Sequence, residues 1–280
     1  MNITTMKINI LIDNTPDNKE KCVAEHGLSM LMEDADKQIL IDTGLSGKFI
    51  DNALYAGIDL NDIDFCFLSH GHNDHTGGLQ RFLEKYPDIK VYLSERIFHE
   101  RYFTSRHSDK KDLSTDAETL QHYENRLIPV KESTWITDKI AAVFCTHNEY
   151  PKPLGNIFLT KETNTQVEQD DFKHEMAMTI STDHGLVIFS SCSHCGCINI
   201  IKSCQDFTGE KEVAAFVGGL HFVDCQRTEQ EVKTFVNDIQ TTFPDIHIYT
   251  GHCTSDKAKN FLKESNINID FFHTNEEIMI

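Results

Sequence analysis

Four side chains able to bind a divalent metal fall within six residues, His70-Gly71-His72-Asn73-Asp74-His75, directly after the apolar run Phe65 to Leu68. Three histidines and an aspartate bracketing glycine and asparagine make no core stripe, so the chain must leave a strand here and turn where polar groups can converge. Beyond Gly77-Gly78, the residues Leu79, Phe82 and Leu83 share one helical face in a stretch from Gly78 to Tyr86 that Pro87 stops. The pattern is strand, turn, helix. Imidazole nitrogen and carboxylate oxygen suit zinc, iron or manganese, and one short turn gathers them at low entropic cost. Alternation along an extended segment aims His70 and His72 at one ion and leaves Asp74 and His75 for a second.

Such a turn leaves both ions short of ligands. Three later apolar runs each end in histidine: Phe189-Ser190-Ser191-Cys192-Ser193-His194, Ala215 to His221 through Gly218-Gly219, and Ile248-Tyr249-Thr250-Gly251-His252. These supply the candidates for distal ligands. Cys192, Cys195 and Cys197 cluster around His194, and Cys253 follows His252. A structural zinc site needs two well-spaced ligand pairs, so small thiols at a strand end are the first expectation here and sulfur ligation the second. His26, His174 and Glu175 are read as pocket or surface residues. His99, His107, His122, His147, His184, His247 and His273 lack ligand spacing.

Elsewhere, short β-type runs recur at Ile8 to Ile12, Ser29 to Met32, Gln38 to Ile41 and Val91 to Leu93. Ala177 to Ser181 and Leu186 to Ser190 flank Asp183-His184-Gly185, a hairpin signal. The last third alternates helix and strand: helices near Ile198 to Phe207, Thr228 to Phe243 and Ser255 to Lys263, strands at Val213 to Val217, Ile246 to Tyr249 and Ile269 to Phe272. Thr228 with Glu231 reads as a capping box, and Val232, Phe235, Val236 and Ile239 as the apolar stripe behind it. Residues 96–150 have weaker periodicity and more charge, and are expected to form a cap or insertion on a single domain spanning 1–280. Strands in each half with flanking helices predict an α/β sandwich.

The turn His70 to Gly78, preceded by Asp42-Thr43-Gly44 at the end of another strand, resembles the metallo-β-lactamase-fold hydrolase superfamily. Glu25-His26-Gly27-Leu28-Ser29, Cys192-Ser193-His194-x-Gly196, Gly218-Gly219-x-His221 and Gly251-His252-Cys253-Thr254 resemble its subgroup related to the archaeal dihydropterin–ribofuranosylaminobenzene 5'-phosphate synthase. The resemblance implies a four-layer αββα sandwich. It also implies that His70, His72 and His194 bind one metal, that Asp74, His75 and His252 bind the other, and that His221 lines the site or replaces one of these. Where the superfamily carries a bridging aspartate, Cys192 stands here, a possible metal or pocket residue, so the count is one or two ions, zinc first with iron or manganese as alternatives. Asp42 is read as orienting a ligand histidine, against the plainer reading of a turn former after a strand.

Composition narrows the function. A formal net charge of −18 repels phosphate backbones, which disfavours nucleic acid as a partner. The one basic concentration, Arg96, Arg101, Arg106, Lys110 and Lys111 interleaved with Tyr102, Phe103 and His107, reads first as a solvated face and second as contact with an anionic substrate. No apolar run is long enough for a membrane span. Nine cysteines without an export signal suit reduced thiols and a cytoplasmic location. The expected function is hydrolysis of a small phosphorylated or ester-type substrate by metal-bound hydroxide, with Asp74 orienting the nucleophile or taking its proton. The alternatives are a carbon–nitrogen condensation on a pterin phosphate and a metal-dependent sensor of a small ligand without turnover.

Overall fold

The computed structural model describes residues 6–17, 21–34, 37–106, 109–163 and 166–280. His107, named above, lies outside them. The chain runs β1 (Lys7–Ile12), β2 (Ser29–Asp34), β3 (Lys37–Ile41), α1 (Phe49–Ala56), β4 (Phe65–Phe67), α2 (Asn73–Thr76), α3 (Leu79–Lys85) and β5 (Lys90–Ser94). It continues with β6 (Arg101–Thr104), β7 (Lys111–Asp112), α4 (Ala117–His122), β8 (Leu127–Val130), β9 (Thr134–Trp135), β10 (Ile140–Phe144), β11 (Leu159–Glu162) and β12 (Val167–Gln169). The rest is β13 (Met176–Thr182), β14 (Gly185–Phe189), α5 (Cys197–Thr208), β15 (Val213–Val217), α6 (Thr228–Thr242), β16 (His247–Thr250), α7 (Asp256–Lys263), β17 (Ile269–Phe271) and β18 (Glu276–Met279).

Two compact units divide these elements: residues 1–131, 161–168 and 272–280 in the first, and 132–160 and 169–271 in the second. The first unit holds a seven-stranded sheet in the order β18-β1-β2-β3-β4-β5-β8. Its β18, β1, β2 and β3 are antiparallel, whereas β3, β4, β5 and β8 are parallel. Parallel neighbours need crossovers, and α1 and α3 provide two of them. Phe49, Ile50 and Ala53 of α1 and Leu79, Phe82 and Leu83 of α3 join Leu11, Leu31, Leu40, Cys66 and Val91 in one buried cluster. The buried Arg126 guanidinium donates to the carbonyls of Leu83, Tyr86 and Ile89, and so closes the C-terminal end of α3.

The second unit repeats this scheme. Its sheet runs β17-β16-β15-β14-β13-β10-β9, antiparallel from β9 to β14 and parallel from β14 to β17. α5, α6 and α7 make the parallel crossovers; α5 packs on β10, β13 and β14, and α6 packs on α7. The hairpin between β13 and β14 pairs Thr182 with Gly185, so its loop is Asp183-His184.

One sequence expectation is corrected, the capping box at Thr228, and two segments are placed. Of residues 96–150, 96–131 fall in the first unit, where Leu127–Val130 is an edge strand, and 132–150 in the second, where Ile140–Phe144 lies inside the sheet. Short strands among charged loops dilute the alternation that would have marked them. The Thr228 capping box does not form, because the Thr228 hydroxyl accepts from Cys225 N–H and lies within hydrogen-bond distance of the Val223 and Cys225 carbonyls, while Glu231 Oε1 accepts from Leu154 N–H. The basic residues Arg96, Arg101, Lys110 and Lys111 are exposed, and three of them are paired, Arg96 with Glu100, Arg101 with Asp112 and Lys110 with Glu162, while Tyr102 among them is fully buried.

Candidate metal centre

In the first unit the candidate ligands lie where parallel strands end, the edge at which open α/β sheets place their sites. Ile41 of β3 is paired with Phe67 of β4, so Asp42 and Ser69 leave adjoining strands side by side. Asp42 is fully buried, with φ of 58°, and its carboxylate is completely engaged. One oxygen accepts from Ser69 N–H at 2.7 Å, and the other accepts from Ser69 Oγ at 2.7 Å and faces His75 Nδ1 at 2.8 Å. Ser69 Oγ in turn lies 2.8 Å from His70 Nδ1. One carboxylate therefore fixes the orientation of two imidazoles, His75 directly and His70 through a hydroxyl, and gives each a defined outer nitrogen, Nε2.

His72 ends the extended segment with ψ of 142° and leads into α2, whose residues 74–76 are buried. The ring of His70 lies 4.6 Å from that of His72 and 4.2 Å from that of His75, centroid to centroid. Asp74 Oδ2 is 3.5 Å from His75 Nε2 and 3.3 Å from His26 Nε2, so His26, read from sequence as a pocket residue, touches the acid directly. Burial disfavours a charged His75, but the Asp74 and Asp42 carboxylates outweigh it and push its pKa up to about 10. Gly77 is glycine for a steric reason: a Cβ there would lie 2.0 Å from the Leu45 carbonyl oxygen. Tyr102 was missed as a neighbour of the turn; its ring meets His72 edge-on at 5.6 Å, and its hydroxyl donates to Glu100, which also pairs with the buried Lys161.

The second unit gathers its candidates at the carboxyl ends of β14, β15 and β16. Phe189 pairs with Val217 and Val217 with Tyr249, so the three histidine-bearing loops start level with one another. Ser190 N–H donates to Val217 O, Gly218 N–H to Tyr249 O and Gly219 N–H to Ser191 O, which locks the loops together. His194 and His221 come within 4.3 Å, ring to ring. Ser193, His221 and Cys253 all have φ between 52° and 59°, a left-handed conformation rare for side chains of this size.

Two supports of His194 went unread. Asn156 Oδ1 accepts from His194 Nδ1 at 3.1 Å and Asn156 Nδ2 donates to His194 O, and Phe172 stacks flat on the imidazole at 4.5 Å. No metal-like spacing in the sequence marks either residue. Glu175, a lesser candidate from sequence, accepts from the backbone N–H groups of His194 and Cys195, both at 2.8 Å. Its burial raises its pKa, opposed by those two bonds. His174 is held by Asp170 at 3.1 Å.

The donor sets fit a divalent metal in each unit taken alone: imidazoles braced by a buried carboxylate in the first, imidazoles and thiols on level loops in the second. An α/β fold of this kind, with such residues at strand ends, defines a metalloprotein of one class. Residues 23–187 match the family model for the metallo-beta-lactamase superfamily, and the chain belongs to that superfamily, whose fold binds divalent metals. Among curated proteins it is similar to the 7,8-dihydropterin-6-methyl-4-(beta-D-ribofuranosyl)-aminobenzene-5'-phosphate synthase of Methanocaldococcus jannaschii, 29% identical over 94% of this chain and 92% of the relative. Among solved structures, one described as a metal-dependent hydrolase of the beta-lactamase superfamily superposes with a TM-score of 0.79 at 24% identity, covering 98% of this chain and 99% of the other. The metallo-beta-lactamase fold protein YhfI from Bacillus subtilis superposes at 0.53 with 13% identity, over 99% of this chain and 100% of the other. Among the described residues no helix is long and apolar enough to cross a membrane.

Proposed function

We propose that the chain is a metal-dependent hydrolase of a small anionic substrate with a phosphoryl or ester-type centre. The observation that carries this reading is Asp42, a buried carboxylate spent on holding His75 and, through Ser69, His70. Core packing gives no reason to bury a charge in order to aim two imidazoles; a metal centre does.

In this reading His70, His72 and His194 hold one ion and Asp74, His75 and His252 a second, with His221 lining the site. Zinc is the preferred ion, one or two per chain, because imidazole and carboxylate dominate the set. When bound, the metal lowers the pKa of water and polarises the scissile oxygen. Asp74, pinned between His75 and His26, orients the attacking water and accepts its proton. The acidic balance of the chain weighs against a nucleic-acid partner.

The test is turnover of generic phosphoester, phosphodiester and carboxyl-ester substrates, with metal counted per chain. His72→Ala and Asp74→Ala should abolish turnover and lower metal content; wild-type rates in either variant, at full purity, would sink the assignment. Full-length likeness to a protein named a synthase favours a second reading, condensation forming a carbon–nitrogen bond on a pterin phosphate. Mass spectrometry of a pterin and an aminobenzene riboside phosphate incubated with the protein distinguishes the two.

A further inference from the structure

The histidine loops of the second unit carry sulfur as well as nitrogen. Cys192 follows β14 by three residues and is buried, and Cys253 follows β16 by three and is half-buried. The Cys192 thiol, the Cys253 thiol and a ring nitrogen of His252 all lie within 4.8 Å of one another. In a tetrahedral zinc site with Zn–S of about 2.3 Å and Zn–N of about 2.0 Å, ligand atoms stand roughly 3.4–3.8 Å apart, so these three can close on one ion by side-chain rotation.

The backbone is arranged around the second sulfur. Cys253 has φ of 53°, a conformation unfavourable for a non-glycine residue that persists only where the surroundings over-determine it. In that conformation Sγ donates weakly to the Cys192 carbonyl at 3.8 Å and to the Ser191 carbonyl at 4.0 Å, which turns the sulfur toward the loop that carries Cys192. The space for the sulfur exists because residue 219 is glycine: a Cβ there would lie 2.3 Å from Cys253 Sγ.

We infer that Cys192 and Cys253 are thiolate ligands which, with His252, give the second unit a sulfur-rich metal site. Each thiol gives its proton to solvent as the ion binds, and no other bond changes. The inference shares His252 with the centre proposed above and rests on that reading only for the third ligand. Two soft donors select zinc or ferrous iron and discriminate against magnesium, calcium and manganese, which prefer oxygen.

Cobalt(II) added to the reduced, metal-free protein tests this directly. The wild type should show sulfur-to-cobalt charge transfer in the near ultraviolet together with visible d–d bands. Cys192→Ser and Cys253→Ser should each lose about half of the ultraviolet band, and the double variant all of it. Cys22→Ser, in the other unit, should lose none. Cys192→Asp should also halve the band and raise the affinity for manganese relative to zinc. A cobalt protein with d–d bands but no charge transfer, or a double variant that keeps it, overturns sulfur ligation and leaves the imidazole centre standing. A wild type that takes up no cobalt overturns both. Should the Cys192 variants fail to fold, X-ray absorption at the zinc edge of the wild type decides alone, by the presence or absence of sulfur at about 2.3 Å.

Discussion

The turn after β4 and the loops after β14, β15 and β16 present candidate ligands in opposite ways. The turn packs His70, His72, Asp74 and His75 into six residues and braces them with one carboxylate from the neighbouring strand. The loops carry one histidine each, spread from residue 194 to residue 252, and only the register of three parallel strands brings them level. The turn's geometry is thus nearly local, and its cost is a buried acid, Asp42, itself held at φ of 58°. The loops' geometry is global, and its cost is strained backbone at Ser193, His221 and Cys253.

If the two regions serve the same ions, variants in both must fail alike. Asp74→Asn should lower kcat by about 10²–10⁴-fold, the usual loss for a positioned general base, as read from initial rates. His194→Ala and His252→Ala should each reduce bound metal as His72→Ala does; full metal content in either loop variant would break the pairing of the two regions.

The bracing carboxylates sharpen the contrast. Asp42→Ala should weaken metal binding by about 10–100-fold in competition with a chelating dye, because it frees two imidazoles at once. Glu175, which holds the backbone of the His194 loop and no imidazole of it, should move affinity far less.

A pH profile probes the turn by itself. In the metal-free protein the folded pKa of His75 is about 10 against an ordinary 6.5, so the folded chain keeps a proton that the unfolded chain releases. That stability is complete below about pH 6.5 and is lost as pH rises toward 10, visible as a falling midpoint of thermal unfolding. Asp42→Asn should flatten the slope; an unchanged slope would mean that another group titrates.

The smallest effect belongs to the loops. Glu175→Gln offers one acceptor where two N–H groups now bond, and should cost about 1–3 kcal/mol in chemical denaturation with metal-binding stoichiometry retained.

Much of the secondary structure could be read because burial follows simple periods. The helix Leu79–Lys85 shows its apolar face and its proline stop, and the alternating last third falls within a residue or two of expectation. α1 escaped because Leu54 and Tyr55 stand exposed among its buried positions, which blurs the stripe, and because Lys48 offers no side-chain cap. β18 escaped because Glu276 and Glu277 disguise an edge strand that pairs with β1.

For the site, the sequence alone determined the chemistry on offer: an aspartate and three histidines in one turn put imidazole and carboxylate side by side as candidate metal donors, since spacing that short needs no fold to bring the groups together. It determined the superfamily for the same reason, through local motifs. Tertiary structure decided everything that depends on distant backbone. It placed Asp42 against both His75 and Ser69, it set Asn156, Phe172 and Glu175 around His194, and it brought the Cys253 sulfur over Gly219. Those contacts join residues tens of positions apart through strand register and left-handed turns, and no local pattern encodes a distance between two strands.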